Sequence, residues 1–125
     1  MLDAVGIVSN DIPRSLLFYG LLGLDLKKAG NADHYEAQTP SGVRVMLDSV
    51  ALIQQFEPSY RHRTGGGVVM CFKQVSPAAV DALYASITSA GFTGRKPPWD
   101  AFWGQRYACM LDPDDNQIDL FAALA

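Results

Sequence analysis

The sequence predicts an α+β fold of two βαβββ modules in a single domain, residues 1–53 and 68–125, with a connector over 54–67. Two observations support it. The order strand, helix, strand, strand, strand occurs twice, and the two helix starts, Ile12 and Pro77, lie about 65 residues apart. Each helix also carries the same punctuation: a capping residue and a proline at its start, Asp11 with Pro13 and Ser76 with Pro77, and a glycine at its end, Gly23 and Gly91.

The elements follow in order. Residues 2–9 mix β-branched and small side chains and stop at Asn10-Asp11, as a strand running into a helix cap does. Over 12–22, Leu16, Leu17, Phe18, Leu21 and Leu22 form a broad apolar face. Strand-like segments come next at 25–29, 34–39 and 43–48, with Pro40-Ser41-Gly42 as the turn before the last. Polar and glycine residues from 54 to 67 make the connector. The second module opens with a strand at 68–73, after which Val80, Leu83, Tyr84, Ile87 and Ala90 fall on one helical face. A strand over 92–96, a loop through Pro97-Pro98-Trp99-Asp100, and strands at 105–111 and 117–122 complete it. The final pair is joined by Asp112-Pro113-Asp114-Asp115-Asn116, a hairpin turn in which proline presets one angle and Asp or Asn tolerates left-handed backbone.

A chain of 125 residues with 49% hydrophobic content can bury one core, and pairing two copies would bury more, so a homodimer is expected. The net charge of −3 comes from interspersed acids and bases, without the basic stripe that nucleic acid requires. The densest positive cluster, Arg61-His62-Arg63, adjoins Gly65-Gly66-Gly67 and reads as a solvated loop. Those glycines lack the lysine of a phosphate-binding loop and precede a strand. Cys71 and Cys109 sit in the apolar runs VVMCF and YACML, where a thiol behaves as a small buried hydrophobe. No stretch has the apolar length of a membrane span, and the N-terminus lacks a basic region followed by an apolar run, so no membrane partner and a cytoplasmic location are expected.

Two stretches carry a resemblance. Residues 11–19 (DIPRSLLFY), running on to Leu22-Gly23-Leu24, resemble the first helix of the glyoxalase/bleomycin-resistance/extradiol dioxygenase superfamily, the vicinal-oxygen-chelate proteins. The stretch from Trp103-Gly104-Gln105-Arg106-Tyr107 through the 112–116 turn to Asp119-Leu120-Phe121 resembles that family's closing hairpin. The family usually writes Asp-Pro-Asp-Gly-Asn there; this chain has Asp115 at the glycine position, a mild change because Asp visits left-handed angles. Element order matches over nearly the whole chain, and residue-level motifs match only in these two stretches. The resemblance implies that the modules form a cupped mixed sheet enclosing a ligand or metal, often in dimers with pockets near the subunit boundary.

Metal-using members take ligands, commonly His, Gln or Glu, from the first and last strands of each module. The resemblance puts Ala4 at the first of these positions, and residues 68–72 offer only Met70 and Cys71 at its counterpart. Asp48 and Asp119 remain on the last strands, Asp119 being shorter than the usual Glu. A divalent ion needs three or four converging nitrogen or oxygen donors. No metal and no cofactor is therefore expected, with a divergent divalent-metal site as the alternative. His34 and His62 fall on a middle strand and on the connector, away from the ligand positions, and read as ordinary exposed or hydrogen-bonded side chains.

Without a Lewis acid no other electrophile stands out, and Asp119 is the one candidate base, a role that a raised carboxyl pKa in an apolar cup would suit. What the second module offers is aromatic: Trp99, Phe102, Trp103 and Tyr107 suit a flat, partly apolar ligand. Strand alternation places Trp103, Gln105, Tyr107 and Cys109 on one side, with Arg106 and Met110 on the other. Ile118 and Leu120 suit a helix, which turns Gln117, Asp119 and Phe121 the other way; Val45 and Leu47 likewise leave Arg44, Met46 and Asp48 on the ligand side. Arg44 and Arg106 also suit ion pairs with Asp48 or Asp119, and Ala4 and Gly6 leave room for a guest. The expected ligand-binding set is Trp99, Phe102, Trp103, Gln105, Tyr107, Arg44, Met46, Asp119 and Phe121. The expected function is metal-free binding of a small aromatic or amphipathic molecule, resembling the antibiotic-sequestering branch of the superfamily. The alternatives are a lyase, isomerase or dioxygenase-like enzyme with a divergent metal site, and a structural dimer module.

Overall fold

Asp11 caps the first helix: its carboxylate accepts the backbone N–H of Arg14 at 3.2 Å. Ser9, ending the preceding strand, accepts from the backbone N–H of Asp11 at 3.1 Å and shares a buried 2.6 Å hydrogen bond with Ser15. The strand-to-helix corner is thus tied from both sides. The computed structural model describes residues 1–125 and divides by contact into two units, 1–63 and 64–125.

The first unit contains β1 (Ala4–Ser9), α1 (Ile12–Leu21), β2 (Lys27–Lys28), β3 (His34–Ala37), β4 (Arg44–Ser49) and α2 (Val50–Phe56). Its sheet runs β1-β4-β3-β2, with β1 parallel to β4 and the other pairs antiparallel. Val45 and Leu47 are buried, and Phe18 and Tyr19 of α1 have no exposure, each worth about 1.5–3 kcal/mol on burial. Two expectations are corrected. The strand expected at 25–29 is only Lys27–Lys28, an edge pairing with Tyr35 and Glu36 that ends where Gly30 turns the chain at φ 77°. The connector expected from residue 54 begins inside α2, which starts because Ser49 accepts the backbone N–H of Leu52 at 3.1 Å and no glycine or proline interrupts residues 50–56.

The second unit contains β5 (Val69–Lys73), α3 (Pro77–Ser89), β6 (Thr93–Ala101), β7 (Gln105–Leu111) and β8 (Gln117–Ala123). Its sheet runs β5-β8-β7-β6, with β5 parallel to β8. Helix α3 covers one face of β6, β7 and β8, where Val80, Ile87, Ala108, Met110, Ile118 and Leu120 have no exposure. Gly94 permits that packing, since the Tyr84 hydroxyl lies 2.0 Å from where a β-carbon would stand. The expected loop at Pro97-Pro98-Trp99-Asp100 is instead the continuation of β6. An edge strand tolerates prolines because its outer N–H groups have no ladder partner. The prolines coincide with an irregularity: Lys96 stands opposite Cys109 and Trp99 opposite Tyr107, so three residues of β6 span two of β7.

The closing turn is organised by Asp112, which is 3% exposed. Its Oδ1 accepts the backbone N–H groups of Asp114 and Asn116, both at 2.8 Å, and its Oδ2 accepts the Asn116 side-chain amide at 2.9 Å. Asp115 has φ 62°, the left-handed geometry expected of the glycine position. No helix is long and apolar enough to cross a membrane.

Candidate functional site

Because the helix occupies one face of the second sheet, alternation sends the odd-numbered residues of β5, β7 and β8 to the other. Two rows result. One runs Trp99, Tyr107, Phe121, and the next runs Lys96, Cys109, Asp119, Cys71. Trp99, Trp103 and Tyr107 meet with centroids 5.2–6.0 Å apart and planes 70–89° apart. Phe121 stacks on Tyr107 at 6.4 Å. Trp103 lies in the turn between β6 and β7 rather than on a strand, and its indole N–H donates to Gln105 Oε1 at 2.9 Å. Phe102 packs its ring against Trp103 at 5.0 Å but is otherwise solvent-exposed.

Polar groups converge beside these rings on Asp119, which is 6% exposed. The Tyr107 hydroxyl donates to its Oδ2 at 2.6 Å, and the Gln117 amide donates to Oδ1 at 3.0 Å. Burial, and then the bond to Asp119, push the Tyr107 phenol well above its ordinary range, so it remains a donor. Arg95 in turn donates to Gln117 Oε1 at 2.5 Å.

Neither cysteine behaves as the buried hydrophobe expected. Cys71 is exposed, with its sulfur 3.8 Å from the Tyr107 hydroxyl, and Cys109 is partly exposed. Both sit on the face away from α3 because they alternate with the residues beneath it. They flank Asp119 on opposite neighbouring strands, about 10 Å apart by strand spacing, beyond the reach of a disulfide. Burial and the Asp119 charge push the Cys109 thiol up to about 11, so it stays protonated at neutral pH.

The first unit gathers charge instead. Arg44, Met46 and Asp48 share the face expected, but Arg44 is committed to Glu36 at 2.5 Å and Asp3 at 2.7 Å, not to Asp48. Asp48 pairs with Nδ1 of His34, whose Nε2 meets Glu36 at 2.7 Å. The hydrogen bond to Glu36, followed by that to Asp48, raises the His34 pKa. His34 is therefore hydrogen-bonded, one of the two states expected of it, and beyond that expectation it is the centre of a charge network, His34 and Glu36 alternating onto one face of β3. The space expected beside Gly6 is partly taken by Met46, whose terminal methyl lies 3.7 Å from a β-carbon built there. Arg106 lies on the helix side and binds Asp81 at 2.9 Å and Asp100 at 3.0 Å, rather than Asp48 or Asp119. Two clefts in this unit, of about 480 and 410 Å³, are lined mainly by polar and charged residues, the larger at Ser9, Asp11, Asp33, Ser49 and Gln54.

The donor chemistry does not fit a divalent ion of the kind the fold suggests. Ala4 brings no donor, Asp48 is engaged by His34, Asp119 is engaged by Tyr107 and Gln117, and the His34, Glu36 and Asp48 cluster, bonded to itself, is not a group able to hold one.

The architecture is shared widely. A glyoxalase-related enzyme from Fulvimarina pelagi superposes with TM-score 0.84 at 18% identity, over 98% of this chain and 87% of that one. A glyoxalase/bleomycin resistance protein/dioxygenase from Nocardioides superposes with TM-score 0.75 at 25% identity, over 99% and 83%. A family enzyme of the same description from Burkholderia phytofirmans gives 0.78 at 22% identity, over 98% of each chain. No curated protein matches the sequence. The model of one family covers residues 1–120, taking in the first βαβββ unit, the turn that Asp112 organises, and the second unit as far as Leu120 within β8. With that coverage and this topology, the chain belongs to the glyoxalase/bleomycin resistance protein/dioxygenase superfamily.

Proposed function

We propose that this protein binds a small aromatic or amphipathic organic molecule on the aromatic face of its second unit and holds it without breaking a bond. The observation that carries the reading is the cluster of Trp99, Trp103, Tyr107 and Phe121 beside the enclosed Asp119. Rings left partly open to solvent offer apolar area at low conformational cost, while a few fixed polar groups orient a guest. Gln105 steadies the Trp103 ring, and Asp119 acts as a fixed charge, each of its oxygens already accepting a hydrogen bond. Capture of an antibiotic, homodimer formation and a cytoplasmic location belong to the same proposal.

A ligand specific for the native state must stabilise it, by about 2.7 kcal/mol at a hundred times its Kd. Thermal-shift screening of polycyclic antibiotics and aromatic metabolites against wild type and a Trp99→Ala/Trp103→Ala variant tests the reading. Compounds that raise Tm in the wild type and not in the variant support it. A library without effect, or shifts that persist in the variant, contradict it.

A further inference from the structure

Asp119 is the most enclosed charge on the aromatic face, yet no lysine, arginine or histidine pairs with it. Arg95 reaches it only indirectly, through the amide of Gln117. A carboxylate removed from water is costly to hold unless a countercharge reaches it. Beside it, Trp99, Trp103 and Tyr107 pack edge to face, their planes 70–89° apart. Ring faces attract cations. The Trp99 face already shows this: the Lys96 ammonium lies 3.9 Å from its centroid. Lys96 itself is exposed, on the irregular edge of β6, and its flexible stem leaves it free to move off the ring.

We infer that the guest is an organic cation, a protonated or quaternary amine with an apolar body, whose charged group replaces the Lys96 ammonium on the Trp99 face and is countered by Asp119. The inference rests on the small-molecule reading above and names the ligand's class. An anionic guest would gain from Lys96 but would face the Asp119 carboxylate. A cationic guest reverses both terms, so the two classes respond to the same substitutions with opposite sign.

The chain's two tryptophans, Trp99 and Trp103, both stand in the cluster, so their fluorescence reports this site alone. Titration with benzyltrimethylammonium, benzyl alcohol and phenylacetate compares three charges on one ring. The expected order is the ammonium roughly tenfold tighter than the alcohol, with phenylacetate weakest. Lys96→Met should tighten ammonium binding severalfold, and Asp119→Asn should abolish its advantage over the alcohol. Alcohol or phenylacetate binding as tightly as the ammonium, or weaker ammonium binding in Lys96→Met, overturns the inference while leaving the small-molecule reading intact. Silence of the tryptophans toward all three also overturns it, and the library screen decides the broader reading separately. Lys96→Met, at an exposed position, keeps the test decisive if Asp119→Asn fails to fold.

Discussion

Tyr107 on β7 donates its hydroxyl hydrogen to Oδ2 of Asp119 on β8 at 2.6 Å, linking the aromatic cluster to the enclosed carboxylate. The two are not directly opposite; Tyr107 faces Phe121 and Asp119 faces Cys109, so the bond runs diagonally across the sheet. Tyr107→Phe keeps the ring and removes the donor. A hydrogen bond to a charged acceptor contributes roughly 1.5–3 kcal/mol, and the loss should appear in chemical denaturation as a lower midpoint with unchanged slope.

Asp112 supports the hairpin that positions Asp119. Asp112→Ala removes three hydrogen bonds from a buried turn and should cost about 3 kcal/mol, measured by urea unfolding. Asp112→Asn keeps one acceptor and should lose less.

His34 makes stability depend on pH in the first unit. The folded state, with Glu36 and then Asp48 accepting from the imidazole, holds the proton more tightly than the unfolded chain, whose histidine titrates near 6.5. This stabilisation is complete below about pH 6.5 and is lost as pH rises through the raised folded value. Tm should therefore fall over that alkaline interval, and His34→Gln should flatten the profile there.

The two thiols should differ in reactivity. Iodoacetamide at neutral pH should alkylate exposed Cys71 well before Cys109, which remains a thiol, and a bound guest should protect Cys71. Peptide mapping by mass spectrometry reads both outcomes.

The covered faces were legible in the sequence because strand alternation and helical spacing are local. Val45, Leu47, Ile118 and Leu120 fell under helices, and Asp119 and Phe121 on the side away from the helix, from period alone, whereas period separated Tyr107 from Arg106 and Met110 without fixing which of the two sets faces the helix. Lys96 could not be placed this way. Regular alternation separates it from Trp99, and only the irregular pairing of β6 around Pro97-Pro98 brings its ammonium onto that ring. Proline read as a loop signal for the same residues because a sequence does not show that β6 lies at a sheet edge. The His34 network was hidden for a different reason: His34 faces Asp48 through an antiparallel register set by the turn at 39–42, and register is not a local property.

Metal removal should leave binding intact. Dialysis against a chelator is expected to change neither Tm nor ligand affinity, because the donors at Asp48 and Asp119 are already engaged within the chain. Stoichiometric Ni, Zn, Fe or Mn in protein purified without chelators would contradict this.

The most direct measurement is a ¹⁵N–¹H titration of the labelled protein with a compound that raises its Tm. Saturable shifts of both indole resonances, with amide shifts concentrated at 96–107 and 117–121, are expected. Shifts confined to residues around His34, or indole resonances that stay fixed while Tm rises, would contradict binding at the aromatic face.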